Sequence, residues 1–206
     1  MTIDVKKSKK PVNYNKAITY LENRVADINN NKSNELIWIL EHPSIFTAGK
    51  SYQSSDIIDK SINLIQTSRG GKITWHGPGQ LICYLAIDLN KREKDIRKFL
   101  SVIENTIIDT LHYFNIDSKS DRENIGIWVK SEKKIKKIAA IGIRISKWIA
   151  YHGFSINVIN NLENYNKIIP CGIKDKGVIN LKLFKDQNYD QLSNKIIKNF
   201  IKNLET

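Results

Sequence analysis

The sequence predicts an α+β fold: a single domain in which a mixed β-sheet is flanked by helices. Three observations lead there. Apolar residues recur at helical spacing in three separate segments, around residues 14–28, 96–114 and 192–204. Between them lie short apolar runs of strand length, two of them close enough in sequence to form a hairpin. No repeat, linker or abrupt change of composition divides residues 1–206, a length that buries a substantial core in one unit.

Bulk properties narrow the function classes. Apolar residues make up 41% and charged residues 26%, as in ordinary water-soluble domains. No apolar run approaches the length of a membrane span, and the N-terminus lacks a signal peptide's hydrophobic stretch, so a cytoplasmic protein is expected. Two cysteines, Cys83 and Cys171, supply neither a disulfide framework nor a four-thiolate zinc site, and no metal is expected. The formal net charge of +12 permits an acidic partner. It is weak support for nucleic acid, because Lys outnumbers Arg while phosphate recognition favours the Arg fork. A chain rich in Lys, Asn and Ile together is also what an AT-rich coding sequence produces.

In chain order, residues 1–11 are polar and lysine-rich and read as a flexible basic arm. Asn13 caps a helix whose inward positions are Tyr14, Ala17, Ile18, Leu21, Val25 and Ile28. Leu36–Leu40 is a core strand closed by Glu41-His42-Pro43, with His42 read as structural first and a minor substrate role left open, and Phe46–Lys50 turns away from it. Leu81–Leu89, containing Cys83, is a second core strand. Asp95 opens a helix with Ile96, Phe99, Leu100, Ile103, Ile107, Leu111 and Phe114 on one face, and Asn115 ends it. Ile125–Val129 is another strand. The runs Lys137–Ile145 and Trp148–Val158, joined at Ser146-Lys147, form the hairpin, with Gly142 and Gly153 marking close backbone approach. Leu192, Ile196, Ile197, Phe200, Ile201 and Leu204 make a last amphipathic helix.

The chemistry concentrates before the second core strand. Residues Arg69-Gly70-Gly71-Lys72-Ile73-Thr74-Trp75-His76-Gly77-Pro78-Gly79-Gln80 hold four of the ten glycines and one of the four histidines. Such density means a constrained polar loop on the end of a core strand, where binding and catalytic groups tend to sit. For His76, orienting a reacting carbonyl and bracing the loop are both open. Pro170-Cys171-Gly172 places a thiol on a fixed turn; on the residues alone it is either a small core residue or a nucleophile.

Taken together, Arg69–Gln80, Lys137–Gly142, His152–Val158 and Pro170–Gly172 resemble the lipoyl(octanoyl) transferase family, with Glu41-His42-Pro43, Thr47–Gly49 and Gly126–Val129 also fitting. The resemblance covers about residues 12 to 184. It implies the fold of biotin and lipoate protein ligases, with a tunnel for an acyl chain. It implies an acyltransferase that moves an octanoyl or lipoyl group from acyl carrier protein to a lysine of lipoyl domains, those of 2-oxoacid dehydrogenase complexes and of the glycine cleavage H protein. It places the acyl-thioester cysteine on Cys171 and its partner lysine on Lys137. Substrate-binding positions fall on Arg69, Gly70, Gly71, Lys72, Ile73, Thr74, Trp75 and His76, on Ala140, Ile141 and Gly142, and on Gly153, Phe154 and Ser155. Trp75 stands where tyrosine is usual, Leu85 where proline often follows, and Ala140 where serine is frequent.

No cofactor is implied beyond the phosphopantetheine that delivers the acyl group. Exchange between thioesters is nearly neutral in energy and amide formation from a thioester is downhill, so ATP is not needed. A thiolate nucleophile is stabilised by a nearby ammonium, and the same lysine, once neutral, accepts a proton from an attacking amine. Two other classes remain: an ATP-dependent lipoate–protein ligase on the same fold, which needs no nucleophilic thiol, and a basic nucleic-acid module. The second requires exposed aromatics among basic residues, whereas Trp38, Trp128 and Trp148 sit in apolar runs.

Overall fold

The computed structural model describes residues 2–170 and 176–206. In chain order the elements are β1 (Ile3–Lys7), α1 (Tyr14–Asn29), β2 (Glu35–Leu40), β3 (Ile45–Ala48), β4 (Leu64–Gln66), β5 (Ile73–His76) and β6 (Gln80–Asp88). They continue with α2 (Ile96–Tyr113), β7 (Lys119–Ser120), β8 (Ile127–Ser131), β9 (Lys134–Ser146), β10 (Ile149–Asn157), α3 (Leu181–Phe184) and α4 (Leu192–Glu205). The helices begin where the sequence supplies caps: Asn13 accepts from the Lys16 N–H, and Asp95 from those of Arg97 and Lys98. Asn115, with φ of 55°, takes the left-handed step that ends α2.

A seven-stranded sheet runs β1-β2-β6-β10-β9-β8-β7, antiparallel except for the parallel β1–β2 pair; a second sheet runs β4-β3-β5. On β6, Leu81, Cys83, Leu85 and Ile87 enter an apolar layer with Phe99, Ile103, Ile107 and Leu111 of α2 and Ile196 and Phe200 of α4. Its alternate residues Ile82, Tyr84 and Ala86 pack against Ala17, Leu21, Val25 and Ile28 of α1. This period-2 split is the signature of a strand covered on both faces. Phe46, Ile73 and Trp75 of the small sheet form a third cluster with Tyr165 and Ile168.

Four expectations change. Residues 3–7 are not a loose arm. They add a parallel edge strand to β2, because Asp4 meets Arg24 of α1 at 2.7 Å and Lys6 lies over the rings of Tyr20 and Trp38. Phe46–Ala48 is a strand, since it has both β4 and β5 to pair with, and Ile73–His76, read as loop, is its antiparallel partner. The hairpin turns at Lys147-Trp148, both left-handed, one residue later than expected. Trp148 is therefore partly exposed on the turn, while Trp38 and Trp128 are buried.

Candidate active site

β9 and β10 meet at Gly142 and Gly153, directly paired. Gly153 cannot carry a side chain, and at Gly142 one would crowd the neighbouring loop. A Cβ on Gly153 (φ 157°) would stand 2.1 Å from the Cys83 carbonyl oxygen, and one on Gly142 would meet the Gly70 carbonyl at 3.2 Å. The loop after β4 folds back over this bare patch: the Gly70 N–H donates to the Ile143 carbonyl, and Arg69 donates to the Gly70 carbonyl and to the Thr47 carbonyl and hydroxyl. A cleft whose empty space, open mouth included, is about 520 Å³ lies between loop and strands.

Twelve of the positions suggested by sequence line this one cleft: Arg69, Gly71, Lys72, Ile73, Thr74, His76, Ala140, Ile141, Gly142, Gly153, Phe154 and Ser155. Two do not. Gly70 is spent on holding the loop to β9, and Trp75 turns to the opposite face of β5, where its ring packs on Tyr165 and its Nε1–H donates to the Ser44 hydroxyl. The sequence reading missed Tyr14, Ile82, Tyr84 and His152, which also line the cleft. Helical spacing alone makes Tyr14 plain core; its hydroxyl is the signal of a further role. For His152 the signal was a histidine beside Gly153 inside an apolar strand.

His152 is bent out of strand alternation. Its φ is 66°, and its ring stacks on that of the preceding Tyr151 at 4.9 Å, where a regular strand would point the two apart. Both ring nitrogens are buried and lack hydrogen-bond partners among the described residues. Burial, then the charges of Arg69 and Arg144, pushes its pKa down to about 3. His76 is likewise held down to about 3, by burial first and then by His42 and Arg69, and its Nδ1 lies 2.7 Å from Gln80 Oε1. His42 lies behind the cleft wall. Its Nδ1–H donates to the Val12 carbonyl and its Nε2 accepts from the Tyr84 hydroxyl, which is the structural role expected of it.

Lys137 is 5% exposed, on β9 where a bulge at Ile127/Trp128 brings it opposite Trp128. Its ammonium donates to the Ile125 carbonyl at 3.0 Å and sits 4.7 Å from the centre of the Trp128 ring. Gly126 leaves room for it: with φ of 139°, a Cβ there would lie 3.2 Å from Nζ. Lys137, Tyr165, Pro170 and Val178 wall a small recess, and its other walls include Thr74, Ala140 and Ser155, which are also cleft residues. The recess thus lies next to the cleft, with Lys137 and the residue before Cys171 in its walls. On the far side the chain is tied to Lys137 again, the Lys137 N–H donating to the Gly177 carbonyl and the Ile179 N–H to the Lys137 carbonyl. Cys171 itself lies outside the described residues. The other thiol, Cys83, is fully buried in the α2/α4 layer and its pKa is pushed far up by burial, which makes it an inert core residue.

The site can therefore seat a slender ligand along glycine-lined strands, with a cation at one end and neutral imidazoles and tyrosines in the wall. Known proteins fit that reading. A family defined as "Lipoyl protein ligase A/B catalytic domain" matches residues 13–201. An octanoyltransferase of Wolbachia pipientis subsp. Culex pipiens is 46% identical, with 82% of this chain and 83% of that protein covered. One of Ehrlichia chaffeensis is 42% identical over 92% of this chain and 93% of that protein. A crystal structure of lipoate–protein ligase A bound with ATP superposes with a TM-score of 0.75 at 18% identity, covering 100% of this chain and 86% of that one.

Proposed function

The chain belongs to the lipoyl protein ligase A/B catalytic domain family, and from that premise we propose a two-step acyl transfer through Cys171 and Lys137. The reaction class is octanoyl transfer in protein lipoylation. The donor is an octanoyl thioester on the phosphopantetheine of acyl carrier protein, and the acceptor is a lysine on the lipoyl domains of 2-oxoacid dehydrogenase complexes or the glycine cleavage H protein.

In the first step the Cys171 thiolate attacks the thioester carbonyl, a tetrahedral oxyanion forms, and its collapse expels the phosphopantetheine thiolate. In the second, the acceptor amine attacks the Cys171 thioester, gives up a proton, and expels the Cys171 thiolate as the amide forms. Lys137 as ammonium stabilises the thiolate, and as amine takes the proton. The acyl chain lies along the Gly142–Gly153 patch. No further cofactor is required, since the bond energy arrives with the thioester. One observation carries this reading: the recess that brings Lys137 and Pro170 together shares three of its walls, Thr74, Ala140 and Ser155, with the cleft. The formal charge of +12 supports acidic protein partners.

The test is the intact mass of the chain after mixing with octanoyl carrier protein in the absence of ATP. An added octanoyl group that is absent in Cys171→Ser is expected. Loading that depends on ATP and free octanoate would turn the reading to a ligase, and full transfer by Cys171→Ser would remove the covalent intermediate.

A further inference from the structure

We infer that Gln80 and Asn157 are positioning residues: a chain of side-chain amides running from the Ile179 carbonyl to the cleft wall fixes His76 with its proton on Nδ1 and its acceptor on Nε2. Backbone carbonyl oxygens can only accept hydrogen bonds. The Ile179 carbonyl faces Asn157 at 3.3 Å, so the atom presented to it is Nδ2. Asn157 Oδ1 then faces inward, where Gln80, Asn160 and Tyr165 approach it at 2.8, 3.1 and 3.2 Å. Gln80 must turn Nε2 towards that oxygen, and the Trp75 carbonyl at 3.4 Å from the same nitrogen demands the same orientation. What remains opposite His76 Nδ1, at 2.7 Å, is Gln80 Oε1. Nδ1 is therefore the donor.

Gln80, Asn157 and His76 are all buried, so no bulk water competes for these bonds. The consequence for chemistry is specific. A ring protonated only on Nδ1 cannot donate from Nε2, so His76 is matched to an N–H or O–H of the ligand and not to the oxyanion. That charge is left to backbone N–H groups. Ile179 couples the two halves of the site, because its N–H donates to the Lys137 carbonyl while its own carbonyl accepts from Asn157. The kinetic part of this inference rests on the transfer reading above; the tautomer does not.

Long-range nitrogen–proton correlation spectra of the full chain at neutral pH, with His76 assigned through His76→Asn, read the tautomer directly. Hydrogen on Nδ1 and a bare Nε2 are expected, and an Nε2–H pattern overturns the inference whatever the turnover. Gln80→Met should relax the ring to a tautomer mixture and lower kcat by up to about 10²-fold with KM nearly unchanged. Gln80→Glu, which keeps an acceptor opposite Nδ1 but turns an oxygen towards Asn157 Oδ1 and the Trp75 carbonyl, should not recover that loss, and full recovery would show that the link to Asn157 is not needed. Wild-type kcat in Gln80→Met removes the positioning role. Should that variant not fold, Asn157→Asp is read instead: it keeps an oxygen for Gln80 but loses the bond to Ile179, so kcat should fall with the tautomer intact. An unchanged kcat there overturns the claim for Asn157.

Discussion

The two faces of the seven-stranded sheet are made from alternate residues of the same strands, yet they are held by different forces. Under α2 and α4 lie Leu81, Cys83, Leu85 and Ile87 of β6, in a cluster built mainly of aliphatic and phenyl groups. Towards α1 and the cleft the same layer includes Tyr84, bonded to His42, with Tyr14 stacked near His76 and His152 set against Tyr84. Hydrophobic burial is non-directional and tolerates exchange of similar volumes. Hydrogen bonds between buried groups have direction and leave a cost when one partner is lost. The α2/α4 face therefore sets how stable the fold is, and the cleft face sets what it does.

The sharpest way to break that division is to damage each face once. Lys137→Ala should lower transfer by roughly 10²–10⁴-fold, the range of a positioned acid–base group. Lys137→Arg should not restore it, because a guanidinium stays protonated and cannot accept a proton. Phe200→Ala, on a fully buried ring of the other face, should lower unfolding free energy by about 3–5 kcal/mol with turnover per folded molecule intact. Urea melts and steady-state rates on both variants check this. A Phe200→Ala protein that melts normally but loses turnover would contradict it.

The same contrast explains what was legible in the sequence. The helices and β6 were, because non-directional burial leaves a period of 3.6 or 2 in the apolar residues. β1 was not: its contacts to α1 run through Asp4 and Lys6, and a lysine-rich stretch looks like tail. β5 was read as loop because glycines flank it on both sides, and its pairing with β3 is visible only in three dimensions. Most cleft-lining positions were reached through motif resemblance. Tyr14 and His152 were not, since helical spacing alone makes Tyr14 look like core and the left-handed backbone that turns His152 inward has no signature in composition.

A middle-sized effect comes from acid, and it belongs to the cleft face. His76 and His152 have folded pKa values near 3, and His42 is lowered too, all chiefly by burial. Between about pH 6.5 and 3 the unfolded chain takes up protons that the folded chain refuses, so stability falls as pH falls through that window. Each fully engaged ring contributes about 1.4 kcal/mol per pH unit. The charges of Arg69 and Arg144 add to the lowering at His152; Glu104, whose carboxyl is raised by burial, opposes the trend. Asp121, held low by Asn124 and Lys176, loses its contribution only in stronger acid. Urea midpoints at pH 7.5 and 5.5 should differ accordingly. His152→Asn, suited to a left-handed backbone, should flatten the slope, and an unchanged slope would mean that this ring charges freely in the native state.

The smallest effect probes where the cleft-side layer meets its edge. β1 closes the sheet next to β2, and there the seam with α1 is electrostatic: Arg24 donates to Asp4, to the Asn34 carbonyl and to the Tyr20 hydroxyl, while Lys6 lies 3.8 Å from the centre of the Tyr20 ring. The Asp4 side chain is 43% exposed, so water competes for it and salt screens it. Asp4→Ala should cost no more than about 1 kcal/mol, and Arg24 keeps two other acceptors when the carboxylate goes. A double-mutant cycle between Asp4 and Arg24, repeated at low and at high salt, measures the coupling apart from those other bonds. The coupling should shrink in high salt and turnover should not move, because Asp4 and Arg24 contribute nothing to the cleft lining. A coupling of several kcal/mol, or a loss of transfer on Asp4→Ala, would show that the edge strand supports the site through α1, whose first residue is Tyr14, and the separation between the stabilising face and the working face would then have to be redrawn.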